Sequence, residues 1–501
     1  MEKESLDTSN PEFKIESGEK LRKAQDKFTL KRMLGIAGSS AMVAGIMIGS
    51  GIFISARWVL VYSGSVGMAM LLWALCGQVA FVGGLCWVEL ALTFPKCGGE
   101  YMIIKQTLGS PLAFSIVWLK LIIVIPCSSA ITALTFSAYA IEPFFRDCFE
   151  RDDLEAPRKI LAAFTLCFIT YVNVMSAKVA ARVQNVFTVG KTLALVMIII
   201  TGLVRLARDK GSSTNNFDEP FDGTTSVIGR IGLAFQAGLW AFEGWDALND
   251  VSEEVKNPRR NMPLAVLGSI SGVTAIYFLV NIAYFAVLTS DEVKESPATG
   301  VAFAAKMYGS FDWIIPVCVA CSVFGSQNAS TFTSGRIFFA AAREGHLPSF
   351  LAMIHRTKRT PVPSLLFQNI IACLLLIPAK ATIASLTSVF SFGEWFTYTI
   401  TVVGLLWTRY RRPGLRRPFK LPILVPVLFF LMSVYLALSP AVSAPMESLW
   451  SFLLLMSGIP VYYVLIHWKL APKCISRMLD SFAYKVQKVL DVVYPDTDVR
   501  I

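Results

Sequence analysis

The chain has 501 residues, of which 54 % are hydrophobic and only 16 % charged, and a soluble domain carries about 25 % charged residues. This balance excludes a soluble globular chain and describes a polytopic membrane protein. The formal net charge of +11 fits basic loops on one side of a bilayer better than a nucleic-acid surface.

Residues 1–32 are polar and charged, without the apolar core of a signal peptide, and are expected to form a disordered cytoplasmic tail. Twelve apolar runs follow, each read against a spanning length of about 20 residues. They lie near 35–60, 66–94, 111–142, 159–175, 183–205, 229–249, 262–288, 311–341, 364–379, 384–408, 421–440 and 448–468. These place an all-α transporter domain at 33–470 and a cytoplasmic C-terminal tail at 471–501. Within that tail, Ser476–Val493 interleaves Arg477, Lys485 and Lys488 with Met478, Leu479, Phe482, Val486 and Leu490. That pattern suits an amphipathic helix on the inner membrane surface or a disordered tail, and both readings stand.

Loop charge sets the orientation. With the N-terminus inside, the inner loops hold Lys96, Lys105, Lys178, Arg182, Lys256, Arg259, Arg260, Arg343, Arg356, Lys358 and Arg359. They also hold the segment 409–420, which has six basic residues and no acid. The outer loops mix signs, as in Arg151-Asp152-Asp153-Leu154-Glu155. Both termini are therefore expected in the cytoplasm, and Cys148 falls in the outer loop after the third run. A cysteine alone there is either a free thiol or a partner for another chain. Cys318 and Cys321 have CxxC spacing but sit in an apolar run, and the three histidines are too dispersed for a metal centre.

Two runs are interrupted. The first contains Gly49-Ser50-Gly51, where each glycine costs roughly 1 kcal/mol in a helix interior. The pattern reads either as close helix packing or as unwound backbone whose freed N–H groups bind an anionic group. The sixth contains Trp240-Ala241-Phe242-Glu243-Gly244-Trp245-Asp246. A carboxylate in mid-membrane faces a cavity or pairs with a basic residue in a buried network. The interruptions are five spans apart, which points to an inverted-repeat transporter with repeats near 35–205 and 229–408 and a site at the midplane. Lys191, early in the fifth run, either snorkels to the interface or supplies a fixed ammonium where a coupling sodium ion would sit. Glu89 reads as structural or gating, and Glu394 lies in an apolar context. No Ser/His/Asp arrangement, HExxH or Walker-type loop is present, so no enzyme and no cofactor is expected.

Several stretches together resemble the L-type amino acid transporters, light chains of the heteromeric amino acid transporters in the amino acid–polyamine–organocation superfamily. They are Gly49-Ser50-Gly51-Ile52-Phe53-Ile54-Ser55, Gly98-Gly99-Glu100-Tyr101, Gly244-Trp245-Asp246, Glu253-Glu254-Val255-Lys256-Asn257-Pro258 and Arg343-Glu344-Gly345-His346-Leu347-Pro348. The likeness covers residues 30–495. It implies a leucine-transporter-like core of five-plus-five inverted repeats with helices 1 and 6 broken, and two extra helices near 421–468. It also implies sodium-independent exchange of amino acids at the plasma membrane. The substrate carboxylate would bind backbone N–H groups around Ile48, Gly49, Ser50 and Gly51. The α-amino group would meet carbonyls around Trp240, Ala241 and Glu243, next to Gly244 and Asp246, with Trp240 as a gate. Lys191 matches the family lysine that replaces a sodium ion. Cys148 matches the cysteine disulfide-linked to a single-span glycoprotein heavy chain.

Three positions bear on specificity. The cystine/glutamate exchanger has a basic residue where this chain has Ile125, which argues against anionic substrates. At the Glu243 position most neutral-preferring relatives have a small residue, and the relative handling cationic amino acids and cystine has an acid. At Glu394 relatives vary, some neutral transporters having a polar amide. The expected activity is exchange of neutral L-amino acids, with room for cationic ones. An ion-coupled symporter and a carrier preferring cationic amino acids are the alternatives.

Overall fold

The computed structural model describes residues 32–145, 154–208, 216–296, 298–377, 383–443, 445–468 and 473–494. Among them the chain is helical apart from two paired two-residue strands. The first expected span is two helices, α1 (Ile36–Met47) and α2 (Gly51–Ser63), bent by 45°. α3 (Val66–Thr93) starts at Ser65, whose hydroxyl accepts from Met68 N at 3.4 Å. A short helix α4 (Gly99–Thr107), absent from the twelve expected runs, leads into the third span, α5 (Ser110–Leu119) and α6 (Ile125–Ile141). Pro126 has no N–H for the carbonyl four residues back. The backbone absorbs this as a π turn over Lys120–Val124, in which Ile125 N reaches Lys120 O.

α7 (Glu155–Met175) and α8 (Ala177–Arg208) are the fourth and fifth spans. The sixth, α9 (Ile228–Ala241), stops well short of the expected end at 249. Gly244 takes φ +102°, and beyond it only the single 3-10 turns Ala247–Asn249 and Ser252–Glu254 form. The break is therefore there, without a helical second half. α10 (Pro258–Val287) follows, then the short α11 (Ser290–Glu295) and α12 (Thr299–Tyr308), then α13 (Ile314–Arg343), α14 (Val362–Leu375), α15 (Ile383–Arg411), α16 (Leu424–Ser443) and α17 (Pro445–Val461). Among the described residues, eight helices are long and apolar enough to span, and nine spans result when the bent pair counts as one. The other three expected spans fall on α9, which is broken, α13, which is rich in buried Ser, Thr, Asn and Gln, and α14, which has 14 residues.

α10 packs against α1, α3 and α8, α13 against α6 and α8, and α2 against α9. At one end, ion pairs tie the loops together. Arg336 Nε meets Glu254 at 2.8 Å and Arg343 meets Glu253 at 2.9 Å. Lys105 meets Glu344. Glu89, fully buried, is a structural tie: it accepts from Arg409 and from Leu421 N at 3.0 Å, joining α3 to α15 and the start of α16.

The C-terminal segment is ordered over 473–494. α18 (Lys473–Leu490) leads to β2 (Val492–Val493), which pairs antiparallel with β1 (Ile354–His355) in the loop between α13 and α14. Residues 473–494 are thus docked on the protein rather than loose. Cys148 lies outside the described residues.

Candidate functional site

The break between α1 and α2 exposes a row of carbonyls, and side chains of the protein reach all of them. Lys191 Nζ donates to Gly45 O, and Ser326 Oγ donates to Ile46 O at 2.9 Å. Tyr277 OH reaches Met47 O at 2.7 Å. Ser322 Oγ lies 3.0 Å from Ile48 O and 3.3 Å from Gly49 O. Lys191 is 2 % exposed, so it does not snorkel. Its ammonium lies deep between α8 and the break.

The N–H groups of the break divide differently from expectation. Ile48 N donates to Ala44 O at 2.9 Å and Gly49 N to Met47 O at 2.8 Å, because α1 closes its last turn on these residues. Two of the four expected donors are therefore engaged. Ser50 N and Gly51 N have no acceptor among the described residues, and no side chain caps the start of α2. An uncapped helix N-terminus carries partial positive charge.

The two breaks cross in contact. A Cβ on Gly51 would stand 2.4 Å from Ala241 Cα, and one on Gly244 would stand 2.1 Å from Ile46 Cγ2. The left-handed φ of Gly244 also suits glycine alone at no steric cost. Tyr277 OH sits between Met47 O and Ala241 O, at 2.7 and 3.0 Å, and its one proton serves one of them at a time. The carbonyl of Ala241 is thus already shared, and Ala241 itself is 1 % exposed.

Beside the crossing lies a cavity of about 110 Å³. Gly49, Ser50, Gly51, Trp240, Glu243, Gly244, Asp246, Ile125 and Glu394 line it; Ile48, Ala241 and Lys191 do not. Trp240 packs edge-on against Phe390, with ring centroids 5.3 Å apart. Charged lining comes from Glu243, Asp246, Asp250 and Glu394 against one cation, Lys120. Lys120 Nζ lies 3.0 Å from Glu100 and 3.2 Å from Glu394, and Trp87 Nε1 donates to Glu100 at 3.1 Å. Glu243 accepts from Tyr398 OH at 3.4 Å rather than from a basic side chain. The second oxygen of Glu394 has no hydrogen-bond partner among the described residues. Carboxylate oxygens of Glu100, Asp246 and Glu394 come within 4.8 Å of one another, but Lys120 already contacts two of these carboxylates.

Lys120 carried a usable signal, an ionisable residue in mid-span. Ser322, Ser326 and Tyr277 carried none, since such residues recur throughout the apolar runs.

Residues 34–466 match the amino acid permease family. The chain is 39 % identical over 474 residues to the b(0,+)-type amino acid transporter 1 of Homo sapiens, covering 94 % of this chain and 95 % of that one. It is 38 % identical over 475 residues to the large neutral amino acids transporter small subunit 2 of Homo sapiens, covering 94 % and 87 %. It is 39 % identical over 473 residues to the Asc-type amino acid transporter 1 of Mus musculus, covering 94 % and 88 %.

Proposed function

The chain belongs to the amino acid permease family, a family of transporters and not of enzymes, and on that premise we propose that it exchanges L-amino acids without sodium. The observation that carries this reading is the crossing of the two breaks beside a cavity, with Gly45 O held by Lys191, Ile46 O by Ser326, Met47 O by Gly49 N with Tyr277 in reach, and the one proton of Ser322 shared between Ile48 O and Gly49 O. A coupling cation would need those oxygens. Lys191 supplies a fixed ammonium instead.

The substrate carboxylate meets Ser50 N and Gly51 N at the uncapped start of α2, where the helix dipole favours negative charge. The α-amino group faces the C-terminal end of α9, where the dipole is negative and Glu243 adds a carboxylate. Trp240, resting on Phe390, covers the site and moves as the carrier changes the side to which the site opens. The carboxyl groups of Glu243, Asp246 and Glu394 offer hydrogen-bond acceptors to a cationic side chain, whereas the one lining cation, Lys120, is already held by Glu100 and Glu394 and is not free for an anionic one. Neutral side chains pack on Ile125 and Trp240.

The protein acts at the plasma membrane with both termini cytoplasmic, as the light chain of a pair linked through Cys148 to a single-span glycoprotein heavy chain. Cys148→Ser is expected to abolish a high-mass band on non-reducing gels, and persistence of that band contradicts the link. Exchange is tested by efflux of labelled amino acid from cells carrying both chains. Efflux rises when unlabelled amino acid is supplied outside and is unaffected when choline replaces sodium. Efflux indifferent to external amino acid, or dependent on sodium, overturns the reading.

A further inference from the structure

Helix α18 is seated on the protein by one narrow face. Ala483 is 5 % exposed, and Leu479, Val486 and Leu490 pack with it against the cluster that includes Phe350 and Met353. Phe482 meets the Phe350 ring edge-on at 5.1 Å, and the β1–β2 pair anchors the end of the segment.

The two flanks beside that seat differ in chemistry. On a helix of about 3.6 residues per turn, Met478, Phe482 and Val489 lie roughly a quarter-turn to one side of the seat. They are 63 %, 49 % and 78 % exposed. Asp480, the only acid in the helix, and Gln487 lie on the opposite flank, with the amphipathic Tyr484, 68 % exposed, beside them towards the back. Lys485 is exposed at the edge of the apolar flank, and Arg477 and Lys488 are exposed on the back of the helix. Water on all free sides gives no reason for this segregation. A membrane interface does, since it takes apolar side chains while lysine and arginine reach up to the headgroups.

The position in the fold fits the same occupant. α18 follows α17, two crossings after α15, and so lies at the same membrane face as Arg411, Arg412, Arg416, Arg417 and Lys420, a stretch without an acid. Val464, Leu465 and Trp468, at the end of the last span, are exposed just before α18 and continue the lipid-facing surface towards it.

We propose that the flank carrying Met478, Phe482 and Val489 lies in the interface of an anionic lipid leaflet, with Lys485, Lys488 and Arg477 on its headgroups. α18 then brackets the α13–α14 loop between the protein core and the bilayer.

The test uses the full chain in nanodiscs of phosphatidylcholine with or without phosphatidylserine. Photo-reactive benzoylphenylalanine is placed singly at the exposed Met478, Val489 or Asp480 or at the partly exposed Gln487, and lipid adducts are read by mass spectrometry. Adducts are expected at Met478 and Val489 and not at Asp480 and Gln487. Phosphatidylserine should be over-represented among them, and the double variant Lys485→Glu, Lys488→Glu should remove that bias. Adducts absent from Met478 and Val489, or equal at all four positions, overturn the placement. Adducts indifferent to phosphatidylserine overturn the anionic leaflet.

Discussion

Replacing Lys191 with methionine keeps most of the apolar stem and removes the ammonium that donates to Gly45 O. The site is deep: Lys191 is 2 % exposed, so water does not take over the bond. A buried acceptor left without its partner costs about 1–3 kcal/mol. That cost falls only on states in which α1 packs against α8, so the balance between the two states of the carrier shifts by about 5- to 150-fold. Ser326 still holds Ile46 O, Gly49 N still donates to Met47 O, and Ser322 still serves Ile48 O or Gly49 O, so the break keeps its shape and the chain folds. The assay is counterflow of labelled leucine into preloaded proteoliposomes, in choline and in sodium medium. Exchange in choline should fall by a factor in that range, and sodium should restore part of it by binding the freed carbonyl. An unchanged rate in choline refutes the reasoning.

Three further outcomes are expected. Glu243→Gly should reduce arginine uptake while sparing leucine uptake, because a charge pair near 4 Å at an effective dielectric of 20 interacts by about 4 kcal/mol before desolvation; equal loss of both substrates means a structural role. Glu89→Ala leaves the Arg409 guanidinium, 9 % exposed, without its carboxylate, a loss of about 3–5 kcal/mol for a broken buried pair. Heating followed by size-exclusion profiles should show a lower melting point, and an unchanged profile contradicts the tie. In the loop after α13, burial, aided by Lys105, pushes the pKa of His346 down to about 4 from 6.5, and its Nδ1 meets Tyr101 OH at 2.9 Å. The folded state holds His346 neutral while the unfolded chain takes up a proton. The stabilisation is therefore complete above pH 6.5 and is lost as pH falls towards 4. His346→Asn should flatten the melting-point slope across that window, and equal slopes count against it.

The helices were legible because hydrocarbon demands long apolar runs, and eleven of the twelve runs start within about four residues of their helices. The first break was legible because two glycines around a serine have little place in an undisturbed span. The sixth run misled at its far end. Ala247, Leu248 and Val251 are apolar enough to extend a helix, but Gly244 turns the chain at φ +102° and only 3-10 turns follow. The cavity was half legible. Glu243 and Glu394 announce themselves as acids among apolar residues, whereas the engagement of Ile48 N and Gly49 N within α1 depends on where the helix closes, which no residue type records. The hydroxyls of Ser322, Ser326 and Tyr277 gain meaning only from the carbonyls opposite them, some 230–280 positions earlier in the chain.

Tyr277 has one proton to give and two carbonyls within reach, Met47 O on the first break and Ala241 O on the sixth. Any motion that pulls one break away hands the bond to the other, so neither can drift without altering the hold on its neighbour. The two breaks are thereby coupled through one proton.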